Sequence, residues 1–149
     1  MVWIETPTNP TLKLIDIEAV AKSVKAINPD IKIVVDNTFG SPYITSPLLL
    51  GADVVHHSLT KYIGGHSDLV MGALVFKDTD YHKQVYFAAY SLGANPSPFD
   101  CYLALRGVKT LEVRIIQSTS TAFHIAHFLD KHPAVDSTIY PGLKTNKFH

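Results

Sequence analysis

Ile31-Lys32-Ile33-Val34-Val35-Asp36 and, further along, Asp53-Val54-Val55-His56-His57-Ser58-Leu59-Thr60-Lys61 decide the fold. Each begins as a β-branched apolar run without strict alternation and ends in polar residues. Such runs suit strands buried on both faces, as in a parallel sheet. Between them, 37–42 reads as a loop and Pro47 to Gly51 as one helical turn. Upstream, Val2 to Glu5 reads as a short strand, and the prolines and turn formers of Thr6 to Thr11 exclude regular structure. Asp16 is placed as an N-cap. Ile17, Val20, Val24 and Ile27 then follow at helical spacing, and Asn28-Pro29 closes the helix. Strand, helix and strand in this order predict an α/β class.

Downstream, Met71 to Phe76 is a strand candidate and Tyr81 to Tyr90 a helix. Ser97-Pro98-Phe99-Asp100 reads as a capping box with proline at the first helical position, on a helix that stops near Gly107. A long helix is expected from about Thr110 to His132, with Leu111, Ile115, Ala122, Ile125 and Leu129 on one stripe, and Pro133 stops it. Val135 to Tyr140 is expected to be a last strand, closed by Pro141-Gly142. The change from strand–helix alternation to one long helix divides the chain into 1–110 and 111–149. No repeat or low-complexity tract is visible.

Composition narrows the function classes. The chain has 149 residues, 13 basic and 13 acidic, so its formal charge is zero. That excludes the broad basic footprint of a dedicated nucleic-acid binder and a polybasic membrane arm. With 46% hydrophobic and 17% charged residues it is too apolar to be disordered. Cys101 is the single cysteine, which excludes a disulfide framework and a paired-cysteine zinc site. The apolar stretches fall short of the roughly 18 residues that span a bilayer, and no signal peptide opens the chain. The expectation is a soluble, cytoplasmic protein with neither nucleic acid nor membrane as partner. A chain that opens on an apolar strand and stops at Lys144 to His149 is expected to be part of a longer one.

In open α/β sheets, ligands sit beyond the carboxyl ends of the strands. Parallel neighbours would bring Asp36 and Lys61 to one edge. A carboxylate there can hold a cationic nitrogen, and a desolvated amine can attack a carbonyl. Ser58 and Thr60 can share a phosphate, and Gly64-Gly65 lets the backbone pass close to a ligand. Pyridoxal phosphate needs this set of groups. By spacing alone, an Asp and a Lys this far apart in an α/β protein are usually an unrelated pair.

The longer wording is more specific. Residues 53–68, DVVHHSLTKYIGGHSD, closely resemble the lysine motif of the Cys/Met-metabolism family of pyridoxal-phosphate enzymes. Trp3-Ile4-Glu5-Thr6-Pro7-Thr8-Asn9-Pro10 and Val35-Asp36-Asn37-Thr38-Phe39 resemble two further family motifs. So do Pro98 to Tyr102 with Arg106 to Leu111, and Tyr140-Pro141-Gly142-Leu143. The five stand in the family's order and cover essentially the whole chain. The resemblance implies a three-layer α/β/α fold with a mostly parallel sheet, the fold-type I large domain, followed by the start of a smaller C-terminal α+β domain.

The resemblance also implies roles. Lys61 binds the cofactor, pyridoxal 5'-phosphate, covalently and moves protons. Asp36 pairs with the pyridine nitrogen, Ser58 and Thr60 hold the phosphate, Asn9 bonds the phenolic oxygen, and Thr38 lines the ring. The implied reaction is α,γ-elimination of L-cystathionine to L-cysteine, 2-oxobutanoate and ammonia, with hydrogen sulfide released from cysteine as a side activity. Synthesis of cystathionine, its β-elimination and γ-elimination from methionine remain open, as does a non-catalytic piece that only associates with full-length chains. Full-length members are expected to be homotetramers. Leu59 departs from the family, which usually has a small residue between the serine and the threonine. The resemblance further implies that a stacking tyrosine, a phosphate-binding helix, an intersubunit arm and a substrate-gripping arginine lie outside these 149 residues, which alone would bind the cofactor weakly and turn nothing over.

The remaining histidines have plainer readings. His56 and His57 point to opposite faces of a strand and are expected to be structural or solvent-facing. His124 and His127 lie on one helix face without a third ligand, so no metal site is expected. His66 is expected to shape its loop by hydrogen bonding, and Cys101 to fill space on its helix.

Overall fold

A computed structural model describes residues 1–145. Four strands form one sheet in the order β1 (Val2–Glu5), β2 (Ile33–Asp36), β3 (Val54–Ser58), β4 (Gly72–Phe76). β1, β2 and β3 are parallel, with Glu5 opposite Asp36 and Asp36 opposite His56. β4 runs antiparallel to β3, with Gly72 opposite Ser58. The mostly parallel α/β expectation is met, and the parallel register delivers the ends of three strands to one edge.

Helix α1 (Ile17–Ile27) connects β1 to β2, as a parallel crossover requires. Asp16 caps it by accepting from the Ala19 amide. Its inner side packs Ile17 and Ala21 onto Ile33, Val35 and Ala52, with Ile4, Val24 and Leu48 at the margin. Ile27 is instead 81% exposed, because steps of three and four residues drift around the helix and carry the last turn off the sheet. Below the sheet, Lys25 Nζ donates to Asp53 Oδ2 at 2.8 Å and to the Ile31 carbonyl at 2.8 Å, while the Ile33 amide donates to the same carboxylate oxygen at 2.8 Å. This knot fixes the starts of β2 and β3 relative to α1. Gly51, at φ 98°, turns the chain into β3, and a Cβ there would sit 2.8 Å from that of Ala21.

Residues 37–42 are not wholly a loop, because α2 (Ser41–Ile44) starts inside them. Its entry is organised by Asn37, fully buried, whose Nδ2 donates to the Ser41 and Thr45 carbonyls at 3.0 and 2.9 Å. The 3-10 turn Pro47–Leu50 follows as expected.

After β4 come α3 (Thr79–Ser91), α4 (Pro98–Val108) and α5 (Leu111–Asp130). The Ser97 hydroxyl accepts from the Asp100 amide at the start of α4, so the serine's half of the expected capping box is present. Along α5 only Leu111, Ile115 and Ala126 are buried. Ile125 is 52% exposed and Leu129 36%, while Ala126 between them is 5% exposed, so the covered face at that end is rotated off the predicted stripe. Val135 to Tyr140 is not a strand: its backbone finds no ladder among the described residues, and a lone extended run gains nothing from β propensity. Among the described residues no helix is long and apolar enough to cross a membrane.

Candidate active site

Asp36 ends β2. Its Oδ1 accepts from the Thr38 amide at 3.0 Å and its Oδ2 from His56 Nδ1–H at 3.0 Å. Burial raises the Asp36 carboxyl, but the Thr38 and His56 hydrogen bonds and the His56 charge outweigh it and hold it below its ordinary 3.8. Asp36 is therefore a fixed anion at neutral pH. Thr38 links this strand end to the next, because its Oγ1 accepts the Ser58 amide at 2.9 Å. The Ser58 hydroxyl makes no hydrogen bond among the described residues.

The lysine lies one turn beyond Ser58, in a short π turn, Leu59–Ile63. Lys61 interrupts that turn with φ −93° and ψ −115°, and the Gly64 and Gly65 amides close it onto the Leu59 and Lys61 carbonyls at 2.8 and 2.7 Å. Three elements hold the turn. From just before β4, the Met71 carbonyl accepts the Leu59 amide at 2.9 Å, and the Met71 amide donates to Thr60 Oγ1 at 3.0 Å. From α4, Gly107 lies flat against the Gly64 carbonyl, where a Cβ would collide with the oxygen. From α5, Arg114 Nη1 donates to the Tyr62 carbonyl at 2.6 Å and Nη2 to the Gly107 carbonyl at 2.9 Å, while Nε reaches Thr110 Oγ1 at 3.1 Å. His66 Nδ1–H donates to the Gly64 carbonyl at 2.7 Å, the loop-shaping role expected of it.

Leu59 does not enter the site. It is 8% exposed and packs with Leu69 and Ala104, so the family departure fills a second core beneath the turn. Lys61 and Thr60 open onto a cleft of about 1170 Å³, lined also by Phe39, Asp100 and Arg114. Lys61 is exposed, which differs from the desolvated amine expected from the sequence.

The predicted residues thus fall into three groups. Asp36, Thr38 and Ser58 are joined by hydrogen bonds. Thr60 and Lys61 follow directly and face the cleft, which the Asp36 loop reaches through Phe39. Asn9 stands apart in the loop after β1, exposed, its amide donating to Glu5 Oε2 at 3.3 Å. Sequence reading missed His56, Gly107 and Arg114. Residues 56 and 58 share a strand face, which was the available signal for His56. Arg114 lies too far along the chain from Tyr62 for any local pattern to join them. Outside the site, His124 and His127 spend Nδ1 on carbonyls of their own helix, and no group of three metal-ligating side chains converges among the described residues.

His57, on the opposite face of β3, is 6% exposed with Nδ1 unpartnered. Burial, then the charge on His56, lowers its pKa from the ordinary 6.5, against the pull of Asp36 and a backbone bond to Asn37. The proton therefore prefers the unfolded chain. Stability is full above about 6.5 and is lost as pH falls through the lowered folded value. Melting temperature should fall as pH drops below about 6.5, and His57→Asn should flatten that fall. An unchanged slope in the variant assigns it elsewhere.

Residues 1–149 match the family model described as Cys/Met metabolism PLP-dependent enzyme. The chain belongs to that family. It is 55% identical to a cystathionine gamma-lyase of Dictyostelium discoideum, over 100% of this chain and 38% of the relative. It is 48% identical to a probable cystathionine gamma-synthase of Herpetosiphon aurantiacus, over 100% of this chain and 46% of the relative. The crystal structure of apo CalE6, a methionine gamma lyase from Micromonospora echinospora, superposes with a TM-score of 0.92 at 42% identity, covering 98% of this chain and 40% of that one. The chain therefore spans less than half the length of these relatives, whose named activities differ from one another.

The family's cofactor is pyridoxal phosphate, and the residues at this edge fit it. The fixed Asp36 anion suits a cationic ring nitrogen. The Ser58 hydroxyl is free to donate to a phosphate. Thr60 can do the same by giving up a long 3.4 Å bond to the Met71 carbonyl.

Proposed function

We propose that the protein cleaves the γ-carbon–sulfur bond of L-cystathionine, consuming water and giving L-cysteine, 2-oxobutanoate and ammonia, with hydrogen sulfide release from cysteine as a side activity. One observation carries this reading: an amine on a turn clamped from three sides and an ionised carboxylate stand at the same sheet edge, the amine opening onto a cleft that the carboxylate's loop reaches through Phe39. Pyridoxal phosphate, when bound, supplies the electron sink that makes Cα acidic. Lys61 holds the cofactor and then moves protons at Cα and Cβ. Asp36 keeps the ring nitrogen protonated. Ser58 and Thr60 bind the phosphate, Asn9 bonds the phenolic oxygen, and Thr38 steadies both strand ends.

The whole protein is proposed to work as a homotetramer in the cytoplasm on small amino-acid substrates. The exposed aromatic side chains of Phe87, Tyr90 and Tyr102 on α3 and α4 supply apolar surface for such assembly. Synthesis of cystathionine is the second reading, favoured by the 48% identity to a probable gamma-synthase. Incubation of the whole protein with cystathionine should yield 2-oxobutanoate and cysteine. Pyruvate and homocysteine would instead assign β-elimination. Consumption of cysteine with an O-activated homoserine, without cleavage of cystathionine, would assign the synthase reaction.

A further inference from the structure

His56 reaches Asp36 from the neighbouring strand. Parallel pairing places residue 56 beside residue 36, so the two side chains leave the sheet on the same face. The Nδ1–H of His56 donates to Asp36 Oδ2 at 3.0 Å, while the Thr38 amide donates to Oδ1 at 3.0 Å. Both oxygens of the carboxylate are thus held, by donors from two different strand ends, and its plane is fixed. An ionised carboxylate accepts only, so this bond also fixes the imidazole tautomer with the proton on Nδ1. The imidazole in turn is steadied by Trp3 of β1, ring centroids 5.7 Å apart and tilted by 47°. The side chains are 27% and 20% exposed, so the pair is partly removed from water, where a charge-assisted bond is stronger.

Without His56, Asp36 would keep only its bonds to Thr38 of its own loop, and its outer oxygen would lose its donor from the neighbouring strand. The cofactor's ring nitrogen needs that oxygen in one place, and each rotational freedom left in the free site must be frozen on binding. We propose that His56 is a positioning residue for cofactor binding, its Nδ1–H orienting the Asp36 carboxylate toward the pyridine nitrogen. This rests on the reading of Asp36 as the partner of that nitrogen.

The test is the dissociation constant of pyridoxal phosphate from the whole protein, measured by titrating the cofactor-free form and following visible absorbance. His56→Val removes the donor while keeping a β-branched side chain suited to a strand. It should weaken cofactor binding by about tenfold or more, the usual scale for one hydrogen bond to a charged group. His56→Asn places an amide N–H near the position of Nδ1 and should bind close to wild type. Melting of the cofactor-free forms separates folding from binding: any stability lost with the His56–Asp36 bond is read there, and affinities are compared only between folded proteins. Equal affinity in wild type and His56→Val overturns the proposal while leaving the role of Asp36 intact. Equal weakening in both variants also overturns it, because packing against Trp3 would then be the cause. A wild-type protein in which borohydride fixes no cofactor on Lys61 overturns the underlying reading and this proposal together.

Discussion

Lys61→Ala in the whole protein is expected to lower turnover by at least about 10³-fold and to abolish the visible absorbance of bound cofactor. The amine is asked to do two things no neighbour can do: hold the cofactor covalently and move protons at adjacent carbons. Thr60 and Ser58, flanking it, carry hydroxyls that neither form that bond nor titrate near neutrality. Stability should barely change, by less than about 0.5 kcal/mol. The Lys61 side chain is exposed and makes no hydrogen bond or ion pair among the described residues, so nothing in the fold depends on it. The two halves of the expectation are measured separately, by turnover with cofactor absorbance and by denaturant unfolding. Full activity in the variant discards the proposed chemistry. A large loss of stability would mean that the turn needs its lysine, contrary to the contacts observed.

Gly107→Ala should act in the reverse sense, through structure. The added Cβ meets the Gly64 carbonyl oxygen and lies 2.9 Å from both the Gly64 carbonyl carbon and the Ile63 oxygen. All are backbone atoms, so no side chain can turn aside. Either α4 lifts or the turn carrying Lys61 moves. The expected destabilisation is about 1–3 kcal/mol, the usual range for overpacking a closed contact. Because the Gly107 carbonyl also accepts from Arg114, the displacement loosens the bond that ties α5 to the turn. Misplacing a reacting group by about 1 Å can cost 10²-fold in rate, so turnover should fall well beyond the loss of folded protein. Gly93→Ala is the control. Its φ of 70° strains an alanine, but no atom lies within 4 Å and Gly93 does not line the cleft. It should cost about 1 kcal/mol and leave turnover unchanged. Wild-type rate and stability in Gly107→Ala would show that the contact yields without moving the lysine.

Much of this site is local in sequence, and that part was legible. The β2 and β3 runs read as buried parallel strands because two-sided burial removes polar alternation. Asp16 and Ser97 announced their helices because an N-cap is satisfied within a few residues of itself. Asp36 and Lys61 could be assigned to one edge because parallel strands share a direction. What failed was the reading of features whose meaning depends on a distant neighbour. Val135 to Tyr140 has strand composition, yet a strand exists only when another strand accepts its hydrogen bonds. The α5 stripe holds at Leu111 and Ile115, yet burial follows from what lies opposite, and farther along Ala126 is covered in place of Ile125 and Leu129.

The sequence by itself determined the class of fold, the order of its elements and the lysine turn with its flanking hydroxyls, since each is written in contiguous residues and short-range sterics. Tertiary structure alone decided that His56 faces Asp36, that Arg114 caps the carbonyls of the lysine turn, and that Gly107 must lack a side chain. Those three depend on strand register and on the approach of helices, which are fixed by the packing of the whole domain; the chain's alternation gives the face of His56 but not its partner.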